Sequence, residues 1–375
     1  MRRMGVSRVL IPFYIVAMPD LPPPHLRTRA RGTELNPETR FDAHVREAVD
    51  DGWAPDEPRL AQTEVRDERI RAIIARNTSP DISFDRSINP YRGCEHGCVY
   101  CFARPSHGYL GMSPGLDFET KLIARPEAPA VLDRQLRAKG YRCDVIALGT
   151  NTDPYQPIER ERRIMRGVLE VLQRFRHPLT IATKGAMVER DVDILAEMSG
   201  AGLARVGISV TTLDTCLART MEPRVPSPAR RLKAIETLAK AGVEVRVMVS
   251  PVVPGLTDHE IEGVLSAARN AGAVAASWIM LRLPYEVSGL FEDWLERHAP
   301  GRSAKVLSRL REMHGGALYS SEWGHRMRGE GLHAELIGRR FDLARRRLGF
   351  AEGLPPLRRE LFAVPLGDDR QASLF

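Results

Sequence analysis

An α/β fold, a partial and open TIM-like (β/α)6 barrel with an N-terminal extension and a helical C-terminal region, is what this 375-residue sequence predicts, on three observations. Apolar runs of strand length, almost free of polar residues, occur at Asp144–Gly149, Leu179–Thr183, Arg205–Val210, Val243–Ser250 and Ala273–Leu281. Amphipathic stretches of helical length lie between them, at Glu159–Phe175, Asp191–Met198, Pro228–Ala241 and Asp258–Ala271. Gly140, Gly202, Gly242 and Gly272 each stand just past a helix and ahead of a strand, where C-cap glycines belong. Apolar strands alternating with amphipathic helices imply a parallel sheet whose outer face the helices cover.

Residues 1–80 form a polar extension rich in proline and charge, partly disordered, with a short helix expected over Asp67–Arg76. The first strand is expected at Ser87–Tyr91, which completes about six βα units and sets the barrel at residues 81–285. Thr257 or Asp258 is the expected N-cap of the Asp258–Ala271 helix. After Pro284 the rhythm changes to helices, at Leu290–His298, Ser303–His314 and Leu332–Leu348, within a region spanning 286–350. Residues 351–375 read as a flexible tail. Between 301 and 350 there are eleven Lys and Arg against five Asp and Glu, a local excess of +6 that nearly accounts for the net charge of +7. Such a block either recruits an anionic partner, nucleic acid first among them, or decorates the solvated face of a helix.

With 43% apolar and 27% charged residues the chain reads as soluble and globular. Five cysteines are an odd number, and three crowd into eight residues, so they are no disulfide framework. The first 17 residues only loosely resemble a secretory leader, because Pro12 interrupts the apolar run, and Met18 offers an alternative start. No apolar run reaches the ~18 residues a membrane span requires, and the reading is cytoplasmic.

The chemistry is concentrated in Arg92-Gly93-Cys94-Glu95-His96-Gly97-Cys98-Val99-Tyr100-Cys101-Phe102. A short glycine-bearing loop lets three thiolates converge on one iron–sulfur cube, and three protein ligands leave one of four irons open. An open metal position is the mark of catalysis, as it is for zinc. The alternative is a Cys3His zinc site using His96 or His107, although zinc modules usually carry two separated ligand pairs.

CxxxCxxC with an aromatic residue before its last cysteine, at the end of a first strand, resembles the signature of the radical S-adenosylmethionine (SAM) superfamily. The resemblance covers roughly residues 85–285. It implies a [4Fe-4S] cluster on Cys94, Cys98 and Cys101 whose open iron chelates SAM. Cleavage of SAM then gives a 5′-deoxyadenosyl radical that takes hydrogen from a substrate, with electrons from a donor such as flavodoxin or ferredoxin. Asn151-Thr152-Asp153-Pro154 stands in the place of the superfamily's Gly-Gly-Glu-Pro motif. Asp153 is thus expected on the methionine amino group, with the backbone of Asn151 and Thr152 closing on the ligand. Lys184 matches a partner of the cofactor carboxylate, Ser209 a ribose contact, and Val253 within Ser250–Gly255 the apolar stretch near adenine. Phe102 is expected to offer its backbone to the adenine edge.

CVYCFARPSHGYLG, Asp117–Lys121, GTNTDPYQPIE and SPVVPGLTD are similar to the spore photoproduct lyase-related branch, whose named member reverses a thymine lesion in DNA. That enzyme uses a hydrogen-donating cysteine near the end of the second strand, where this sequence has Gly149, Thr150 and Asn151. Cys143 lies at the other end of that strand. Cys216, which follows the Arg205–Val210 run, is a candidate only by position, since a lone cysteine is usually an inert small hydrophobe. His96 and His107 read as residues that orient the loop. Tyr100, Tyr109 and Tyr155 read as packing residues, with stacking on a base as the alternative. The last five residues, Gln371–Phe375, resemble the peptide by which bacterial DNA-processing proteins dock on the replication sliding clamp. Three functions stay open: a radical enzyme acting on nucleic acid, one acting on a peptide or small metabolite, and a zinc-organised nucleic-acid-binding module.

Overall fold

The computed structural model describes residues 31–42 and 61–366. The first 17 residues and the Gln371–Phe375 peptide lie outside the described residues. Six parallel strands, β1 (Arg86–Ile88), β2 (Ile146–Leu148), β3 (Leu179–Thr183), β4 (Ala204–Ser209), β5 (Val245–Val252) and β6 (Ala275–Met280), lie side by side in chain order. Each is paired with the next, as in Ile88↔Leu148, Thr183↔Ile208 and Trp278↔Val249. Ala75–Arg76 adds a short antiparallel strand beside β1, and β6 is the opposite edge. The barrel is therefore open, as the alternating pattern predicts.

Helices α1 (Ala128–Leu136), α2 (Ile164–Arg174), α3 (Val192–Gly200), α4 (Pro228–Lys240) and α5 (Ile261–Asn270) connect successive strands. Their apolar stripes, such as Val168, Leu169 and Leu172 of α2, pack against a sheet whose Ile146, Leu179, Val206 and Val247 are completely buried. Then come α6 (Val287–His298), α7 (Pro300–Met313) and α8 (Gly331–Arg347). These share the barrel's cores: Ile337 and Phe341 of α8 join the main one. Phe291 and Trp294 of α6 join a second core with Cys98, Val99 and Tyr100. No helix among the described residues is long and apolar enough to cross a membrane.

Several local expectations are corrected. The helix expected over Asp67–Arg76 is absent; Glu64–Asp67 is a strand that pairs with Lys121–Ala124, so edge pairing overrides local propensity. The Glu159–Phe175 helix is broken at Arg163, which adopts φ 50°. Neither Thr257 nor Asp258 caps α5; their side chains accept instead from the backbone N–H groups of Val253 and Gly255 in the preceding turn. Gly202, Gly242 and Gly272 take positive φ after their helices and Gly140 does not. The tail, though largely exposed, has backbone N–H groups bonded to the barrel as far as Ala363. The Arg358 N–H donates to Gly202, the Ala363 N–H to Phe175, and the Phe362 ring stacks on Phe175.

Candidate active site at the cysteine loop

The chain leaves β1 at Ile88 and, after the short strand Tyr91–Arg92, enters the loop that bears the cysteines at the C-terminal end of the sheet. Gly93 and Gly97 sit at φ 76° and 66°, and a Cβ on either would meet Leu122 Cδ2 at 2.7 Å or Glu119 Oε2 at 2.6 Å. Two of the three cysteines follow a glycine because the turn there is both left-handed and without room.

Beneath the loop lies an ion pair invisible to pattern reading. Arg104 and Glu119 are both fully buried. Arg104 donates to the Cys98 carbonyl at 2.9 Å and to the Pro114 and Gly115 carbonyls. Glu119 accepts the N–H groups of Gly32 and Thr33. One pair thus ties the loop, the turn after it and the N-terminal segment together. Nothing in the sequence links residues fifteen apart in the segments CFARPSHGYLG and DFETK; the pair becomes visible only in three dimensions.

Cys94 and Cys98 are buried and Cys101 is partly exposed, all three as free thiols. Burial pushes the Cys94 thiol up, reinforced by the Asp153 carboxylate and by Cys98 and Cys101, while the Asp153 N–H is bonded to it. Burial raises Cys98 too, opposed by the Lys184 ammonium. The three thiols lie within each other's fields, and the buried Cys94 and Cys98 ionise readily only against a cation. Among the described residues no three Cys, His, Asp or Glu side chains converge as ligands of a single metal ion do. Thiolates that each hold a different iron of a cube need not meet at one point, so the donor set fits a cluster and not a lone zinc.

The remaining candidates fall at strand ends, with roles that differ in detail. Asp153 is not a free carboxylate. It accepts from Thr183 Oγ1 at 2.6 Å, Tyr155 N–H at 2.9 Å and Lys184 N–H at 2.7 Å, and lies 3.3 Å from His96 Nδ1. Burial raises its pKa, but His96 and these donors outweigh it and hold the group at about 2. Asp153 therefore locks the end of β3 to the cysteine loop. The N–H groups of Asn151 and Thr152 both donate to Asn89 Oδ1.

The Lys184 ammonium makes no ion pair among the described residues. Burial lowers its pKa, yet Cys98 and Glu222 more than compensate and raise it. Its charge lies over the Tyr100 ring at 5.7 Å. Ser209 donates to the Ser250 carbonyl at 2.7 Å, and Val253 is fully buried beneath the loop. Neither backbone group of Phe102 is bonded among the described residues, and its ring is 45% exposed. His96 pairs with Asp153 and His107 donates to the Lys121 carbonyl, so both orient the loop. Cys216 is exposed in the first turn of a short helix whose Leu217 packs against the core that holds Cys98.

Sequence reasoning missed a second buried pair beside the cysteines. Glu222 accepts from Arg231 at 2.8 Å, from Thr211 at 2.7 Å and from the Tyr100 hydroxyl. Burial raises the Glu222 pKa, but Arg231 and then Lys184 bring it below the usual carboxylate value. An open cavity of about 890 Å³ borders the loop through Glu95 and His96, and none of the three cysteines lines it.

Residues 88–268 match the model of the radical SAM superfamily. An uncharacterized protein of Mycobacterium tuberculosis is 38% identical over 235 residues, 62% of this chain and 68% of that protein. An uncharacterized protein of Methanocaldococcus jannaschii is 28% identical over 174 residues, 46% of this chain and 62% of that protein. Among solved structures, spore photoproduct lyase complexed with dinucleoside spore photoproduct superposes with a TM-score of 0.54. It is 14% identical, and the match covers 76% of this chain and 80% of that one. A mutant of the same enzyme with bound AdoMet and dinucleoside spore photoproduct gives 0.55 at 15% identity, with the same coverage.

The chain belongs to the radical SAM superfamily. It is a radical SAM enzyme, with the family's [4Fe-4S] cluster and S-adenosylmethionine as cofactors, on the fold seen in spore photoproduct lyase.

Proposed function

We propose that Cys94, Cys98 and Cys101 hold the cluster, that Lys184 and the backbone of Phe102 hold SAM, and that the substrate is nucleic acid. The observation that carries the cofactor reading is the cluster of three thiols, two of them buried, beside a lysine ammonium that makes no ion pair among the described residues. Bound cluster and SAM supply a hydrogen-abstracting radical once an electron arrives, from flavodoxin or ferredoxin in a reducing cytoplasm.

The chain's own residues do the rest. Arg104 and Glu119 fix the loop from below, and the Asp153 N–H donates to the Cys94 sulfur, a bond of the kind that tunes cluster potential. The Lys184 ammonium is left for a carboxylate, where a charge-assisted bond replaces its desolvated isolation. Asn151 and Thr152 present carbonyls for an ammonium. The Tyr100–Glu222–Arg231 network and Val253 exclude water from one wall.

Nucleic acid as substrate is supported by the shared fold with an enzyme whose structures hold a dinucleoside lesion. At the end of β2, where that enzyme has its hydrogen-donating cysteine, this chain has Gly149, Thr150 and Asn151. A Cβ at Gly149 would lie 2.2 Å from the Ala182 carbonyl oxygen, so Gly149 itself cannot be replaced by such a donor. The test is to incubate reconstituted enzyme with SAM and deuterated oligonucleotides and weigh the 5′-deoxyadenosine. Deuterium in that product is expected. Cofactor cleavage without any transfer from DNA or RNA rejects nucleic acid as substrate.

A further inference from the structure

We infer that an arginine–aromatic rim at the open mouth of the barrel binds unpaired nucleotides, so that the substrate is single-stranded or extrahelical and not intact duplex. This rests on the nucleic-acid reading above and specifies its form.

Two stacks make the rim. In the first, the Arg282 guanidinium lies 4.7 Å from the Phe102 ring centroid and 5.9 Å from that of Tyr319. In the second, Arg40, which also pairs with Glu286 at 3.6 Å, lies 3.9 Å from the Tyr285 ring, 4.7 Å from Phe41 and 5.6 Å from Tyr109, and Phe41 and Tyr109 are 5.0 Å apart. Phe102 and Tyr109 belong to the loop that leaves β1, whereas Arg282 and Tyr285 belong to the loop that leaves β6. These are the two edge strands of the parallel array, so the stacks bridge the gap where the barrel fails to close, directly beside Cys101.

The chemistry singles out one occupant. Phe41, Phe102, Tyr109 and Tyr285 are 50, 45, 71 and 63% exposed, four large rings kept in water around one opening. Arg282 donates to the Tyr319 hydroxyl at 3.4 Å and lies in the field of Asp81 without pairing with it, and its buried Nε has no acceptor among the described residues. Tyr285 holds φ 52°, a left-handed backbone rare for an aromatic residue, and its ring stays exposed. Flat faces interleaved with cations suit the bases and phosphates of an unpaired strand, whose rings are free to stack. A duplex keeps its bases stacked on each other and offers the rim only its backbone. Chemistry on a base or sugar also requires the target to be extruded toward the cluster, and such extrusion needs a surface to receive it.

The test uses the full chain and labelled oligonucleotides of one sequence as single strand, blunt duplex and duplex with a central unpaired bulge, read by anisotropy. The variants are Tyr109→Ser and Tyr285→Asn, neither of which bears a ligand of the cofactors. Single strand and bulge are expected to bind at least tenfold tighter than duplex, and each variant to lose about tenfold on them while duplex affinity holds. Tyr285→Asn should keep or raise Tm, because asparagine accepts the left-handed backbone. SAM cleavage without substrate should be unchanged in both. Equal affinity for all three forms, with no effect of either variant, overturns the rim and leaves nucleic acid as substrate. No binding of any oligonucleotide, or binding of a peptide lost in the same variants, overturns both.

Discussion

Charge is used in opposite ways beneath the cysteine loop and along the C-terminal helices. Under the loop, Arg104–Glu119 and Arg231–Glu222 are buried pairs whose remaining donors and acceptors are met almost entirely by backbone and hydroxyl groups; only Arg231 Nε lacks a partner. Along the helices, the basic block that dominates the chain's charge meets water. Arg340 pairs with Glu262 at 2.6 Å with both groups partly exposed, Arg339 pairs with Glu335, and Arg345 lies near Asp342 and Glu352. Others anchor the helices to the barrel: Arg302 donates to the Gly255 carbonyl and Arg309 to Asp258. The lesson is that a conspicuous charge block need not be the charge that matters for the site. Breaking a buried pair strands an uncompensated charge and costs about 3–5 kcal/mol, whereas an exposed pair contributes roughly 0.2–1 kcal/mol.

The largest expected effect lies in the loop itself. Cys94→Ala, Cys98→Ala or Cys101→Ala should each abolish cluster retention after anaerobic reconstitution, because two thiolates do not hold the cube; Cys143→Ala and Cys216→Ala should retain full iron by assay. Stoichiometric zinc without iron-linked absorption would refute the cluster assignment.

Next is the pair beneath it. Arg104→Met should lower stability by about 3–5 kcal/mol in urea unfolding, and the combined Arg104→Met, Glu119→Leu variant should recover much of that loss. A loss no larger than that of Arg340→Ala would erase the contrast between the two regions.

Lys184→Ala should then weaken SAM binding about 10- to 100-fold by calorimetry with cluster content unchanged, the loss of a charge-assisted bond of ~1.5–3 kcal/mol. Asp153→Ala should behave differently and reduce cluster content as well, since it frees His96 and the end of β3. Its sign with pH follows from a folded pKa of about 2, below the ordinary carboxylate value of ~3.9. The stabilisation is complete above the higher figure and lost as pH falls through the lower, so the advantage of the wild type over Asp153→Asn should be full above about pH 4, shrink below it and vanish near pH 2.

The smallest effect is Arg340→Ala, expected within about 1 kcal/mol and fading with salt. A salt-insensitive loss above that would show that the C-terminal charges are as structural as the buried ones.

Periodicity alone marked five of the six parallel strands and four of the helical stretches that cover them, because a strand buried on both faces has no alternative to an apolar run; the helix Ala128–Leu136 is not among them. The spacing of Cys94, Cys98 and Cys101 marked the site, because a loop of eight residues brings its thiols together whatever surrounds it. Tertiary structure decided what lies further apart along the chain. It showed Asp153, expected as a ligand contact, bonded to Thr183, Lys184 and His96 between loop and sheet. It paired Arg104 with Glu119 and Arg231 with Glu222, and gathered Phe41, Phe102, Tyr109 and Tyr285 at one opening. Such contacts join residues distant in sequence, and no local propensity or period records them. They exist only because closing the sheet part of the way brings its two edge strands, and the loops they carry, to the same mouth.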